Sequence, residues 1–124
     1  MSKASKAFLR ELHTLINYDV SIAMEAITGS KLIEHSDSVG LVGLSEKEIR
    51  ALGNIHLTPE QVLALKKALI ATGRGIVFGL LCIIDGVAYT ESEDIPDLAL
   101  VNRATGENLS DQFLHDEFYE VAPE

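Results

Sequence analysis

Residues 58–86 read TPEQVLALKKALIATGRGIVFGLLCIIDG, and this stretch decides the fold of the chain. It opens with a capping box in which Thr58 and Gln61 can satisfy each other's free backbone amides. Pro59 takes the first helical position, where its missing N–H costs nothing. Apolar residues then recur at helical spacing as far as Ile84. The pattern predicts a helix over residues 59–84.

The second half of this stretch also fits another structure. Three glycines (Gly73, Gly75 and Gly79) each weaken a helix by about 1 kcal/mol relative to alanine. Residues 83–89, with Asp-Gly at their centre, match a strand–turn–strand with a type I′ turn. The continued apolar spacing favours the helix, with Asp85-Gly86 as its C-terminal stop.

Upstream, apolar residues at helical spacing predict a long first helix over about residues 6–28, begun by Ser5 and ended by Gly29 in a left-handed conformation. Residues 30–44 read mainly as a loop. A second capping box, formed by Ser45 and Glu48, then starts a short helix to about Leu52.

Downstream of Gly86 the predicted elements are short. Residues 87–90 and 98–101 are β-like runs that can pair as a small antiparallel hairpin. Thr105-Gly106 marks a turn, and Ser110 can cap a final helix over about residues 111–120. The buried face of that helix would consist of Phe113, Leu114 and Phe118.

The predicted fold class is therefore mainly α, in one domain of residues 1–124. Two long antiparallel helices and a short helix form a scaffold over residues 1–84, and a β-hairpin and a helix follow in an acidic segment over residues 85–124. The predicted core consists of Leu12, Leu15, Ile16, Ile27, Leu65, Leu69, Ile76, Leu80, Ile83 and Phe118.

Charge is distributed unevenly between these two parts. The chain of 124 residues has a net charge of −9, from 10 basic and 19 acidic side chains. Residues 1–84 carry 9 basic and 8 acidic side chains, whereas residues 85–124 carry Arg103 against 11 acids, a net of −10. The C-terminal third would repel phosphate, which excludes non-specific nucleic-acid binding there.

The remaining composition indicates a cytoplasmic protein. Cys82 has no second cysteine to pair with and lies in an apolar run, so we expect a buried, inert thiol. The amino-terminal residues lack the apolar region of a secretory signal. The most apolar run, residues 75–84, is shorter than the roughly 20 residues of a membrane span, and we expect core there. The apolar helix also leaves a homodimer open, since one partner helix need not cover its circumference.

Signals for chemistry are sparse, and no cofactor motif occurs. Asp111 and His115 stand four residues apart in the last predicted helix and could share a metal ion, with a third ligand from Asp85 or residues 91–97. Residues 46–74 read as a helix–turn–helix with basic side chains on its second helix. These patterns define two alternative functions, a small metal-dependent enzyme and a DNA-binding regulator.

The acidic segment favours a third function, which is not enzymatic. Aromatic side chains ringed by carboxylates suit a basic protein partner, since charge speeds encounter and aromatic rings hold the complex. We therefore expect a protein-binding or inhibitory module, of the immunity or antitoxin kind. Its predicted partner-binding residues are Tyr89, Glu91, Glu93, Asp94, Asp97, Asp116, Glu117, Tyr119 and Glu120.

Overall fold

The computed structural model describes residues 1–29 and 43–123. The prediction of a mainly helical chain is confirmed. The described residues form four helices, which are α1 (Lys3–Thr28), α2 (Glu46–Gly53), α3 (Pro59–Ile84) and α4 (Leu114–Phe118). The predicted loop over residues 30–44 falls mostly on residues 30–42, outside the described residues, and Gly43 and Leu44 are not helical.

Both predicted capping boxes are present. The Ser45 hydroxyl accepts a hydrogen bond from the Glu48 backbone N–H at 3.1 Å, and the Glu48 carboxylate accepts one from the Ser45 N–H at 2.8 Å. Thr58 and Gln61 make the same reciprocal pair at 3.2 and 2.9 Å. Each box satisfies two amides that a helix start leaves without partners, which explains why these boundaries were predictable.

The structure decides between helix and hairpin at the end of α3. Gly86 has a φ of 72°, and its N–H bonds to the Ile83 carbonyl at 3.1 Å while the Val87 N–H bonds to the Cys82 carbonyl at 3.0 Å. This pair of bonds is a Schellman motif, which requires the left-handed conformation that glycine adopts without strain. Asp85-Gly86 is therefore a helix stop, as predicted, and not the corner of a hairpin.

The predicted hairpin between residues 87–90 and 98–101 is wrong. The amides of Val87 and Ala88 are used in ending α3, and no strand occurs in the described part of the chain. Instead, Val101 forms an isolated antiparallel bridge with Asn108 across the turn that contains Gly106, whose φ is 77°. The run 98–101 thus finds its short partner downstream, across the predicted Thr105-Gly106 turn.

The last helix is shorter than predicted and starts later. Helix α4 spans five residues instead of 111–120, and Phe113 precedes it without any side-chain cap. Ser110 does not cap a helix, because its hydroxyl accepts a hydrogen bond from the Leu100 N–H at 2.8 Å and also bonds to the Asn108 side chain. Leu114 and Phe118 are fully buried as predicted, whereas Phe113 is half exposed.

Contacts divide the chain into two compact units, Leu15–Gly73 and the pair of segments Met1–Thr14 and Arg74–Glu124. The first unit has a small core of Ile22 and Ala26 with Leu44 packed against it. Within it, α1 and α3 are antiparallel, since Ile16 contacts Gly73 while Thr28 and Val62 line one shallow pocket. That contact explains one glycine, because a Cβ at position 73 would lie 2.9 Å from the Ile16 side chain.

The second unit contains the most deeply buried side chains. Leu9, His13, Leu81, Leu114 and Phe118 are each at most 1% exposed. Of these, Phe118 was predicted as core and Leu114 as part of the buried face of the last helix. The predicted core residues Leu15, Ile76 and Leu80 are instead 55%, 70% and 51% exposed. Their helices carry more apolar surface than the described elements cover. The single-domain prediction stays a prediction.

Candidate functional site

The predicted partner-binding residues lie in the second unit, on two stretches of different character. Tyr89, Glu91, Glu93, Asp94 and Asp97 belong to the non-helical segment 87–99. Asp116 and Glu117 lie in α4, and Tyr119 and Glu120 follow it directly. Eight of these nine residues are exposed and Glu117 is half-buried. We call the two stretches, Tyr89–Asp97 and Asp116–Glu120, the acidic surface.

Short-range hydrogen bonds shape the first stretch of the acidic surface. The Thr90 hydroxyl donates to the Ser92 carbonyl at 2.9 Å, and the Asp94 N–H donates to the Ser92 hydroxyl at 3.1 Å. Such local bonds offer the backbone an alternative to a sheet ladder. The four acids of this stretch are exposed, and Tyr89 at its start is fully exposed.

Exposed apolar side chains lie within and directly after the first stretch, and the sequence did not indicate their exposure. Ile95 and Leu98 are each 44% exposed, and Val101 is 50% exposed. Leu98 and Val101 were assigned to a hairpin strand, where one face would be covered. Exposed apolar residues rimmed by charge mark interaction surfaces more often than scattered single residues do.

The second stretch depends on α4, and α4 is capped by residues distant in sequence. The Asp85 carboxylate accepts a hydrogen bond from the His115 backbone N–H at 2.8 Å, and the same oxygen lies 2.6 Å from His115 Nδ1. Asp85 thus supplies the N-terminal cap that Phe113 lacks, and its negative charge suits the positive end of a helix. The Asp85 side chain is completely buried.

The other end of α4 is held by α1. His13 donates from Nε2 to the Phe118 carbonyl at 2.8 Å, and its ring stacks on the Phe118 ring with centroids 4.1 Å apart. The carbonyl at a helix C-terminus has no partner within the helix, so His13 satisfies a group that would otherwise be buried and unpaired. Neither histidine was predicted to have these roles. The only sequence signal was a histidine within an apolar stripe.

Aromatic contacts complete the support of the second stretch. Phe78 of α3 meets the His115 ring edge-on, with centroids 5.7 Å apart, and also contacts Tyr119 at 5.6 Å. Edge and tilted ring arrangements at these distances are favourable beyond the area they bury. Helix α4 is therefore fixed at both ends and on one side, while Asp116, Tyr119 and Glu120 remain exposed.

The predicted metal pair is not assembled on one helical face. Asp111 precedes α4 and is not helical, so the four-residue spacing to His115 does not place both side chains along one helix. His115 is engaged by Asp85, and its Nε2 lies 3.2 Å from the exposed Asp116 carboxylate. In residues 1–29 and 43–123, no group of three or more His, Cys, Asp or Glu side chains could hold a metal ion.

The structure also shows the surroundings of Cys82, of the predicted helix–turn–helix and of Arg74. Burial raises the pKa of the Cys82 thiol, and the carboxylates of Asp85 and Asp116 raise it further, which disfavours the reactive thiolate. The helix–turn–helix reading of residues 46–74 meets a five-residue connection between α2 and α3, longer than the usual three or four. Arg74 is half-buried, and its Nε has no hydrogen-bond partner among the described residues.

Comparison with protein-family models, with curated proteins and with solved structures finds no match to this chain.

Proposed function

We propose that this chain is a non-enzymatic protein-binding module, of the immunity or antitoxin kind, and that it presents the acidic surface to a basic protein partner in the cytoplasm. The observation that carries the proposal is the complete exposure of Tyr89 beside the exposed carboxylates of Glu91, Glu93, Asp94 and Asp97. A tyrosine held in water has no role in the stability of the chain, whereas tyrosine is among the residues that dominate binding energy at interfaces.

The charge distribution supports a basic partner. Residues 85–124 have a net charge of −10, and the rest of the chain is nearly neutral. A surface of one sign attracts a partner of the opposite sign and raises the association rate, an effect that salt screens. Binding should therefore weaken as ionic strength rises.

Preorganisation also supports the proposal. Helix α4 is capped by Asp85 and His13 and buries Leu114 and Phe118, so its exposed residues are held in position before any partner arrives. Side chains that are already ordered lose less conformational entropy on binding. Asp116, Tyr119 and Glu120 can then contact a partner without refolding of the helix.

Capture from the native host at graded salt tests this function. The immobilised wild-type chain should retain a basic protein, and less of it as the salt concentration rises. Glu93→Lys combined with Asp94→Lys should lower the affinity for that protein at least tenfold. The matched control is Glu11→Lys combined with Glu107→Lys, which changes net charge equally at exposed positions outside the acidic surface. Equal losses in both double variants would contradict a specific surface.

Tyr89→Ala tests the aromatic anchor separately. The side chain is fully exposed, so its removal should leave the thermal unfolding midpoint unchanged. An interface anchor of this kind is worth about 2 kcal/mol or more, which corresponds to roughly a 30-fold loss of affinity. Unchanged affinity of Tyr89→Ala for the captured protein would show that Tyr89 is not part of the interface.

A further inference from the structure

Helix α3 has an uncovered apolar side that the proposed function does not use. Between Ala68 and Leu80 no charged residue of α3 is exposed, although the chain as a whole carries a net charge of −9. Ile76 and Leu80 are 70% and 51% exposed, and a Cβ added to Gly75 or Gly79 would meet no atom within 4 Å. We call these four residues the α3 face.

The shape of the α3 face is complementary to itself. Gly75 and Gly79 are four residues apart, and so are Ile76 and Leu80, so the helix presents a ridge directly beside a shallow groove. In a pair related by a two-fold axis, the ridge of each copy can enter the groove of the other. Glycine allows the two backbones to approach closely, because no Cβ stands between them.

From this surface we infer that the occupant of the α3 face is a second copy of this chain, paired through antiparallel α3 helices. Gly75 of one copy then faces Leu80 of the other, and Ile76 faces Gly79. In this arrangement, each large side chain of the α3 face lies opposite a glycine of the other copy.

Charge selects the antiparallel sense. The amino-terminal half of α3 carries Lys66 and Lys67, both exposed, and the net −10 segment begins at Asp85, directly after α3. Antiparallel pairing brings the basic half of each helix toward the acidic segment of the other copy. Parallel pairing would instead bring like charges together at both ends, which is unfavourable.

A lipid bilayer is the other apolar environment that would cover the α3 face. Helix α3 is long and apolar enough to span a membrane by length and composition alone. However, Arg74 lies near the middle of the apolar part of α3, residues 68–84, where a charge is costly in lipid. Phe78 and Leu81 also lie in the unit that contains α4 and its non-helical flanks, and irregular backbone is not tolerated facing lipid.

The area of the α3 face limits the expected affinity. In this pairing, residues 71–84 of the two helices overlap, and a contact along these roughly four turns buries less than the roughly 800 Å² per partner that is typical of stable complexes. The dimer should therefore be reversible and dependent on concentration, with long-range attraction between the basic half of α3 and the opposing acidic segment adding to it at low salt.

Sedimentation equilibrium of the full chain at low salt tests the inference. The wild-type chain should show a monomer–dimer equilibrium, and Ile76→Glu combined with Leu80→Glu should raise its dissociation constant at least tenfold, because it buries two like charges in each copy. The matched control is Leu63→Glu, since Leu63 is 53% exposed but lies on another side of α3. A strict monomer at the highest soluble concentration, or equal effects of Leu63→Glu and the double variant, would overturn the inference.

Three further measurements check that the variants fold and separate the alternatives. Circular dichroism should give the same helix content for all variants, since the substituted side chains are exposed in the monomer. If the Ile76→Glu and Leu80→Glu double variant unfolds, Gly79→Leu replaces it, because leucine fills the groove and should also weaken the dimer. Lys66→Glu combined with Lys67→Glu should weaken the dimer several-fold, and strengthening would overturn the antiparallel sense. Flotation of the wild-type chain with phosphatidylcholine–phosphatidylglycerol vesicles would overturn the choice of a second copy over a membrane.

Discussion

Helices α3 and α4 differ in opposite directions from what their sequences indicate. Helix α3 has 26 residues and the most apolar sequence in the chain, yet Leu81 is its only fully buried residue. Helix α4 has five residues, three of them titratable, yet it contributes two fully buried side chains, Leu114 and Phe118. The apolar composition of a helix therefore indicates its tendency to be buried. How much of it is actually buried depends on which other elements pack against it.

The difference extends to how the two helices are stabilised. Helix α3 has its own capping box at one end and its own Schellman motif at the other. Helix α4 is too short to be stable alone and depends on caps supplied by Asp85 and His13. The one is defined by local sequence and the other by long-range contacts.

The largest effect should come from Phe118→Ala. The Phe118 ring is fully buried and stacks on His13, so its loss should lower the free energy of unfolding by about 3–5 kcal/mol. Urea denaturation measures the change. Phe113→Ala is the control, because Phe113 is adjacent to α4 but half exposed, and it should cost much less. Similar costs for the two variants would mean that burial at α4 does not govern stability.

An intermediate effect is expected from Asp85→Ala. The substitution removes the cap from α4 and leaves the His115 N–H without its acceptor, which should cost about 1–3 kcal/mol in unfolding free energy. Asp116→Ala also removes a carboxylate beside His115, but the Asp116 side chain is 65% exposed and its pairing should contribute little. If Asp116→Ala destabilises as much as Asp85→Ala, the cap from Asp85 has no special role.

The smallest effect concerns a local cap. Ser45→Ala at the start of α2 should lower the unfolding free energy by about 1 kcal/mol, as the loss of N-terminal caps generally does. Hydrogen bonds from the Ser45 backbone and side chain lower the pKa of Glu48. The stabilisation from this carboxylate is therefore complete above its unfolded-state pKa and is lost as pH falls through the folded-state pKa.

The acid dependence can be measured by repeating the denaturation from pH 7 to pH 3. The wild-type chain should lose more stability over this range than Glu48→Gln, because glutamine keeps a hydrogen-bond acceptor but does not titrate. Parallel losses in the two proteins would contradict a charged role for Glu48 in the cap.

Part of the fold could be predicted because its signals are local. The capping boxes at Ser45 and Thr58, the helix stop at Gly86 and the turn at Gly106 each depend on residues within a few positions of one another. The hairpin prediction failed for a related reason. Residues 87–90 have β-like sequences, but their first amides are taken by the end of α3, a competition that alternating hydrophobicity does not reveal.

The candidate site likewise has features that local sequence predicts and features that it does not. That the acids after Gly86 face solvent could be predicted, because charged groups are rarely buried without partners. The burial of Asp85, directly before Gly86, could not be predicted: the sequence indicated a helix stop there, yet the Asp85 side chain is completely buried as the cap of α4. No pattern near Asp85 in the chain predicts that its carboxylate caps a helix that starts at Leu114, 29 residues later.

The amino-acid sequence by itself determined that this chain is mainly helical, where α2 and α3 begin, where α3 ends, and that negative charge concentrates after Gly86. These properties follow from side-chain chemistry and from hydrogen bonds between near neighbours. Only the tertiary structure decided that α4 exists as a five-residue helix held by Asp85 and His13, and that Ile76 and Leu80 remain uncovered. Those outcomes depend on contacts between residues 30 to 105 positions apart, for which local sequence carries no signal.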